Sequence, residues 1–206
     1  MFEYNRFESM SYLIRYPDGY REGEKYPVIL LLHGSGSRGT DIRGLRRNDF
    51  FEITGRCESF PFVTVAPQCH ENTWFDLWET LKRFADAILD MDFCDDRRVY
   101  AVGMSMGGYA VWQLGMSLPY HFAAIVPICG GGMYWNAERL RDVPVWAFHG
   151  EDDPLVFKEE SIRMTEAVNA CGGNARLTLI PDCGHESWRE AFARRDLFMW
   201  MLSQRR

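Results

Sequence analysis

Serine, aspartate and histidine, met in that order along a chain, are the side chains that can activate a hydroxyl for attack on a carbonyl. Here the serine stands in Val99-Tyr-Ala-Val-Gly-Met-Ser-Met-Gly-Gly108, where an apolar run ends in Gly103-Met-Ser-Met-Gly107 and turns at once into a helical pattern. A serine on so sharp a strand-to-helix turn has its hydroxyl thrust into the open. The glycines two before and two after it are what the turn needs, because a side chain at either place would strike neighbouring backbone. The spacing makes Ser105 the candidate nucleophile.

Two further segments supply its partners. In Val143-Pro-Val-Trp-Ala-Phe-His-Gly-Glu-Asp-Asp-Pro154 an apolar strand runs into a loop with three carboxylates. A carboxylate at the C-terminal end of a sheet strand can reach a histidine there. Asp153, just before Pro154, is chosen, with Glu151 and Asp152 read as solvated loop charges or caps. In Leu177-Thr-Leu-Ile-Pro-Asp-Cys-Gly-His-Glu-Ser-Trp188 a short strand leads into a glycine-containing loop that delivers His185. That histidine is placed to take the serine proton as general base.

A fourth segment, Tyr26-Pro-Val-Ile-Leu-Leu-Leu-His-Gly-Ser-Gly-Ser37, reads as a central strand followed by a loop able to stabilise an oxyanion. Two backbone N–H groups are needed there. One is expected from Met106, directly after the nucleophile, and the other from Ser35, with Gly34 as the alternative. His33 is expected to brace this loop, and Arg38 to clamp it through an ion pair with Asp41.

The elements that must position these groups alternate. Strands are predicted near 11–16, 28–33, 62–66, 99–104, 124–129, 145–150 and 177–180, and helices near 75–91, 107–118, 158–171 and 187–203. Such alternation means an α/β fold: a mostly parallel central sheet with helices on both faces. The 206 residues, 47% hydrophobic, suit one domain over 1–206 with no repeat or linker. Only about fifteen residues separate Cys129 from Val145, too few for a sizeable cap domain, so an open site is expected.

The assembled pieces Leu32-His-Gly-Ser-Gly-Ser-Arg-Gly-Thr-Asp41, Ala66-Pro-Gln-Cys69, Gly103-Met-Ser-Met-Gly-Gly108, His149-Gly-Glu-Asp-Asp-Pro154 and Gly184-His-Glu-Ser-Trp188 resemble the compact α/β-hydrolase serine esterases. The resemblance is to the branch with carboxylesterase/phospholipase-type, dienelactone-hydrolase-like and feruloyl-esterase or polyhydroxybutyrate-depolymerase-related enzymes. It covers roughly residues 10 to 200 and implies an α/β-hydrolase fold and hydrolysis of small carboxylic esters through an acyl-enzyme. The dienelactone hydrolases use a cysteine nucleophile; position 105 is serine, which favours ester over lactone chemistry. A peptidase of the same fold and a silent ligand-binding homologue are the alternatives.

The net charge of −6 without a basic run argues against nucleic acid and anionic membranes as partners. No apolar run approaches a membrane span. The opening Met1-Phe-Glu-Tyr-Asn-Arg shows no export signal, so the six scattered cysteines read as free thiols in the cytoplasm. No cluster has metal-ligand spacing, and no cofactor is expected. The expected partner is a small-molecule ester; oligomeric state is left open. Candidate substrate contacts are Gln68, Trp74, Tyr134, Trp135 and Trp188. Trp78, with Leu81, Phe84, Ala85 and Ile88, forms a helical stripe more typical of core.

Overall fold

The computed structural model describes residues 1–206. Eight strands form one sheet: β1 (Phe2–Phe7), β2 (Met10–Arg15), β3 (Tyr26–Leu32), β4 (Val63–Pro67), β5 (Cys94–Met104), β6 (Ala124–Ile128), β7 (Val145–Gly150) and β8 (Ala175–Ile180). Their spatial order is β1-β2-β4-β3-β5-β6-β7-β8. The pairs β1–β2 and β2–β4 are antiparallel and the other five are parallel. This is an α/β-hydrolase fold without a cap.

The apolar runs fold into this sheet because both its faces are covered. Along β3, Val28, Leu30 and Leu32 enter one apolar cluster, and Ile29 and Leu31 enter the cluster on the opposite face. The neighbours obey the same two-residue period: Val99 and Ala101 lie on the first face, Tyr100 and Val102 on the second. A strand apolar on both sides is stable only where helices shield each face. On the first face lie α2 (Trp78–Leu89), α3 (Met106–Ser117) and α4 (Glu159–Ala170). On the second lie α1 (Asp49–Thr54), α5 (Trp188–Ala193) and α6 (Arg195–Ser203). Helix α2 buries Leu81, Phe84, Ala85 and Ile88, the stripe its sequence displays.

The structure adds elements that the sequence pattern hides. Strand β1 lies at the sheet edge, and its mixed burial gives no clear alternation. Strand β5 begins at Cys94 rather than near 99, because a polar stretch, Asp95–Arg98, opens it. The long terminal helix expected over 187–203 is two helices, broken where Arg194 takes an extended backbone (φ −83°, ψ 111°). Between β6 and β7 only a seven-residue 3-10 segment, Tyr134–Leu140, intervenes.

Candidate active site

Strand β5 ends at Met104, and α3 begins at Met106. Ser105 bridges them with φ 54° and ψ −118°, a conformation that costs a non-glycine residue about 1–3 kcal/mol. Surrounding bonds hold it there: the Ser105 N–H donates to the Ile128 carbonyl at 2.9 Å, and the Tyr109 N–H to the Ser105 carbonyl at 3.1 Å. The turn also demands close backbone approach. A Cβ at Gly103 would strike the Gly107 carbonyl, and one at Gly107 would strike the Leu32 carbonyl.

The Ser105 hydroxyl lies 2.8 Å from His185 Nε2. On the far side of the ring, Nδ1–H donates to Asp153 Oδ2 at 2.7 Å. The other carboxylate oxygen, Oδ1, accepts from the Leu155 N–H at 2.9 Å and the Val156 N–H at 3.0 Å. Burial works against charge on Asp153, but the Val156 N–H, the His185 imidazole and the Leu155 N–H outweigh it. Together they hold the carboxyl below its ordinary value. An acceptor on Nδ1 leaves the Nε2 lone pair facing the serine hydroxyl, the tautomer a general base needs. Asp152 is exposed in the same loop, whereas Asp153 is buried.

The loop after β3 passes directly over Ser105. A Cβ at Gly34 would come within 3.5 Å of Ser105 Cβ. Ser35 opens a 3-10 turn, Ser35–Ser37, and Met106 opens α3. First residues of helices have N–H groups with no earlier carbonyl in the helix to receive them. Ser35 and Gly34 line the cavity over Ser105; Ser35 stands at the start of its turn and Gly34 just before it. His33 braces the loop from beneath: it accepts from the Cys69 N–H at Nε2 (3.0 Å), so Nδ1–H donates to the Gly34 carbonyl (2.7 Å). Burial pushes its pKa down to about 4. Arg38 also clamps the loop, though not through Asp41. Its guanidinium donates to the carbonyls of Ser35 (3.0 Å) and Asn72 (2.8 Å), while Asp41 accepts from the Arg43 N–H (3.2 Å) and caps the next turn.

Residues 19–196 match the dienelactone hydrolase family. The chain belongs to that family. A probable feruloyl esterase C of Aspergillus niger is 22% identical over 192 residues, covering 90% of this chain and 70% of its own. A bifunctional acetylxylan esterase/xylanase of Neocallimastix patriciarum is 26% identical over 135 residues, 63% of this chain. A solved thermostable esterase superposes with a TM-score of 0.83 at 30% identity over the whole of this chain. The chain spans only 20% of the bifunctional enzyme and 63% of the thermostable esterase.

In this dienelactone hydrolase family member a cavity of about 350 Å³ opens over Ser105 and His185, walled by Ser35, Arg47, Asn48 and Trp188 among others. Of the proposed substrate contacts, Trp188 lies on it. Its ring meets His185 edge-on (5.5 Å, 90°), and its indole N–H donates to Asp49 at 2.8 Å. Trp74, expected to touch substrate, is instead fully buried: its ring packs tilted against His33 (4.9 Å, 54°) and its indole N–H donates to the His33 carbonyl at 3.0 Å, so it supports the loop. Gln68 is buried and donates to the Ser37 carbonyl at 3.2 Å, in the wall of a neighbouring polar cavity rather than the one over Ser105. Tyr134 and Trp135 are exposed on the 3-10 segment, apart from that cavity.

Two groups at the site escape sequence reasoning. Cys129, at φ 41°, places its Sγ 3.2 Å from the Ser105 N–H, and burial raises its thiol to about 12. No motif announces a cysteine packed behind the elbow. His149 is fully buried with Nε2 only 3.3 Å from Asp153 Oδ2. A histidine closing an otherwise apolar strand is the available signal, since a buried polar ring must find partners.

Proposed function

We propose that this chain is a serine hydrolase of small carboxylic esters, forming one α/β-hydrolase domain over 1–206. The single observation that carries the reading is the unbroken line from the Ser105 hydroxyl, held on a strained elbow, through His185 to Asp153, at 2.8 and 2.7 Å. His185 Nε2 takes the serine proton as Oγ attacks the ester carbonyl. The charge that develops on the carbonyl oxygen is met by the N–H groups of Met106 and Ser35, each contributing about 3 kcal/mol. His185 then protonates the departing alcohol, and a water activated by the same ring releases the acyl group. Similarity to a probable feruloyl esterase and to an acetylxylan esterase/xylanase supports an ester as substrate. Six unpaired thiols suit a reducing compartment.

The test is labelling with a fluorophosphonate, read by intact mass, beside hydrolysis of p-nitrophenyl acetate, butyrate and octanoate. The wild type is expected to take one adduct and to turn over. Ser105→Ala is expected to take none and to lose about 10³-fold or more in kcat while keeping its fold. Full activity in that variant would remove Ser105 from the mechanism.

A further inference from the structure

The hydrogen-bonded line does not stop at Asp153. Behind it, sealed from solvent, stand His149 at the end of β7 and Ser161 in α4, both fully buried. His149 Nδ1 lies 2.7 Å from Ser161 Oγ, and Nε2 lies 2.8 Å from the Val156 carbonyl and 3.3 Å from Asp153 Oδ2. Ser161 Oγ is also 2.9 Å from the Gly130 carbonyl.

Counting protons fixes the ring. Burial, the largest influence, holds His149 below its ordinary pKa, so the ring is neutral and carries one proton. Nε2 faces two oxygens that only accept, the Val156 carbonyl and the Asp153 carboxylate; a lone pair there would be repelled by both. The proton therefore sits on Nε2. Nδ1 then carries the lone pair and faces the Ser161 hydroxyl, whose Oγ also lies within hydrogen-bond distance of the Gly130 carbonyl. An N–H edge is thereby fixed against the catalytic carboxylate on the side away from His185.

The geometry points to His149 as a positioning residue for Asp153, a role that rests on the ester-hydrolase reading above. It acts in two ways. Its Nε2–H holds the Val156 carbonyl, and the N–H of that same residue is one of the two that clamp Asp153 Oδ1. The same N–H also lies beside Oδ2, the oxygen that receives His185. The carboxylate is fixed at both oxygens, so its direction toward His185 is set before substrate arrives. Preset geometry of this kind is felt in kcat, because the ring must be oriented as it accepts the serine proton, and little in KM.

Two substitutions separate this role from packing. The amide nitrogen of His149→Gln can reach the place of Nε2; that of His149→Asn reaches the place of Nδ1, toward Ser161. With p-nitrophenyl acetate, the Gln variant is expected to stay within about threefold of wild-type kcat, and the Asn variant to lose about tenfold or more at unchanged KM. The downfield proton resonance of the His185 Nδ1–H is expected in the wild type and the Gln variant, and to be broadened or lost in the Asn variant. Equal kcat and equal resonances in the two variants, or losses that simply follow thermal midpoint, would overturn the assignment. Should neither His149 variant fold, the nitrogen shifts of His149 in the wild type decide: a neutral ring protonated at Nε2 is expected, and a ring protonated at Nδ1 alone would overturn the proposal. The resonance needs no turnover. A wild type that shows it without hydrolysing esters would defeat the esterase reading and leave the positioning role standing.

Discussion

At the scale of single residues, the site depends on groups whose protonation burial has decided. His33 is the clearest case. Its pKa falls from 6.5 to about 4 because the folded protein cannot solvate the imidazolium, while the Cys69 N–H occupies the lone pair a proton would need. For a base with a lowered folded pKa, the unfolded chain binds the proton first. Stability is therefore complete above about pH 6.5 and drains away as the pH falls toward 4, by up to about 3 kcal/mol from this residue. Chemical denaturation of the wild type between those limits should show the decline, and His33→Gln should flatten it. A variant as steep as the wild type would place the cause elsewhere. Asp153 adds a loss of the same sign at lower pH. Its lowered carboxyl contributes stability above its unfolded value, lost as the pH falls through the folded one. The same residue scale explains why Trp74 does not line the cavity over Ser105: an indole N–H tied to the His33 carbonyl at full burial is committed to the loop.

At the scale of elements, the elbow works because α3 lies almost against β3 and β5. Glycine at 107 permits that contact, since a Cβ there would occupy the space of the Leu32 carbonyl. Gly107→Ala should force α3 from the sheet and carry Ser105 and the Met106 N–H with it. The expected loss is about 3 kcal/mol or more, seen as a fall in thermal midpoint together with loss of fluorophosphonate labelling. A variant of unchanged midpoint would show that the contact is slack. The elbow strand, the acidic loop and the histidine loop were legible as elements, because each is a largely apolar strand followed by a short polar turn. The segment over 38–61 was not. Its 3-10 turn over Ile42–Arg47 and the six-residue α1 are too short to show a period, yet they bring Arg47 and Asn48 to the cavity and Asp49 to Trp188.

At the scale of the whole molecule, the sheet places all of this chemistry at the C-terminal ends of parallel strands, where loops from β3, β5, β7 and β8 converge. The other end of the sheet order has a separate task. Strand β1 pairs along the whole outer edge of β2 and is tied down by a Tyr16–Glu3 hydrogen bond of 2.7 Å and, through the adjoining turn, by Glu8 on Arg83 at 2.8 Å. Removing residues 1–8 would leave β2 with unpaired backbone facing solvent, an invitation to edge-to-edge association. Light scattering of the truncated chain should report aggregation, while the molecules that remain monomeric keep fluorophosphonate labelling at Ser105. Loss of labelling in the monomers would couple this edge to the site.

The sequence by itself determined the class of fold and the order of its chemical groups. Continuous apolar runs, turn glycines and a Ser, Asp, His succession are local properties, fixed by what neighbouring residues can do. It also separated Asp153 from Asp152 through Pro154, and the structure buries the former and exposes the latter. Contacts between distant segments were decided only by tertiary structure. Whether Arg38 meets Asp41 or two carbonyls, whether Trp74 faces a ligand or His33, and that His149 stands behind Asp153 all depend on how loops far apart in the chain meet. Such meetings are set by the packing of both sheet faces at once, and no local pattern contains that information.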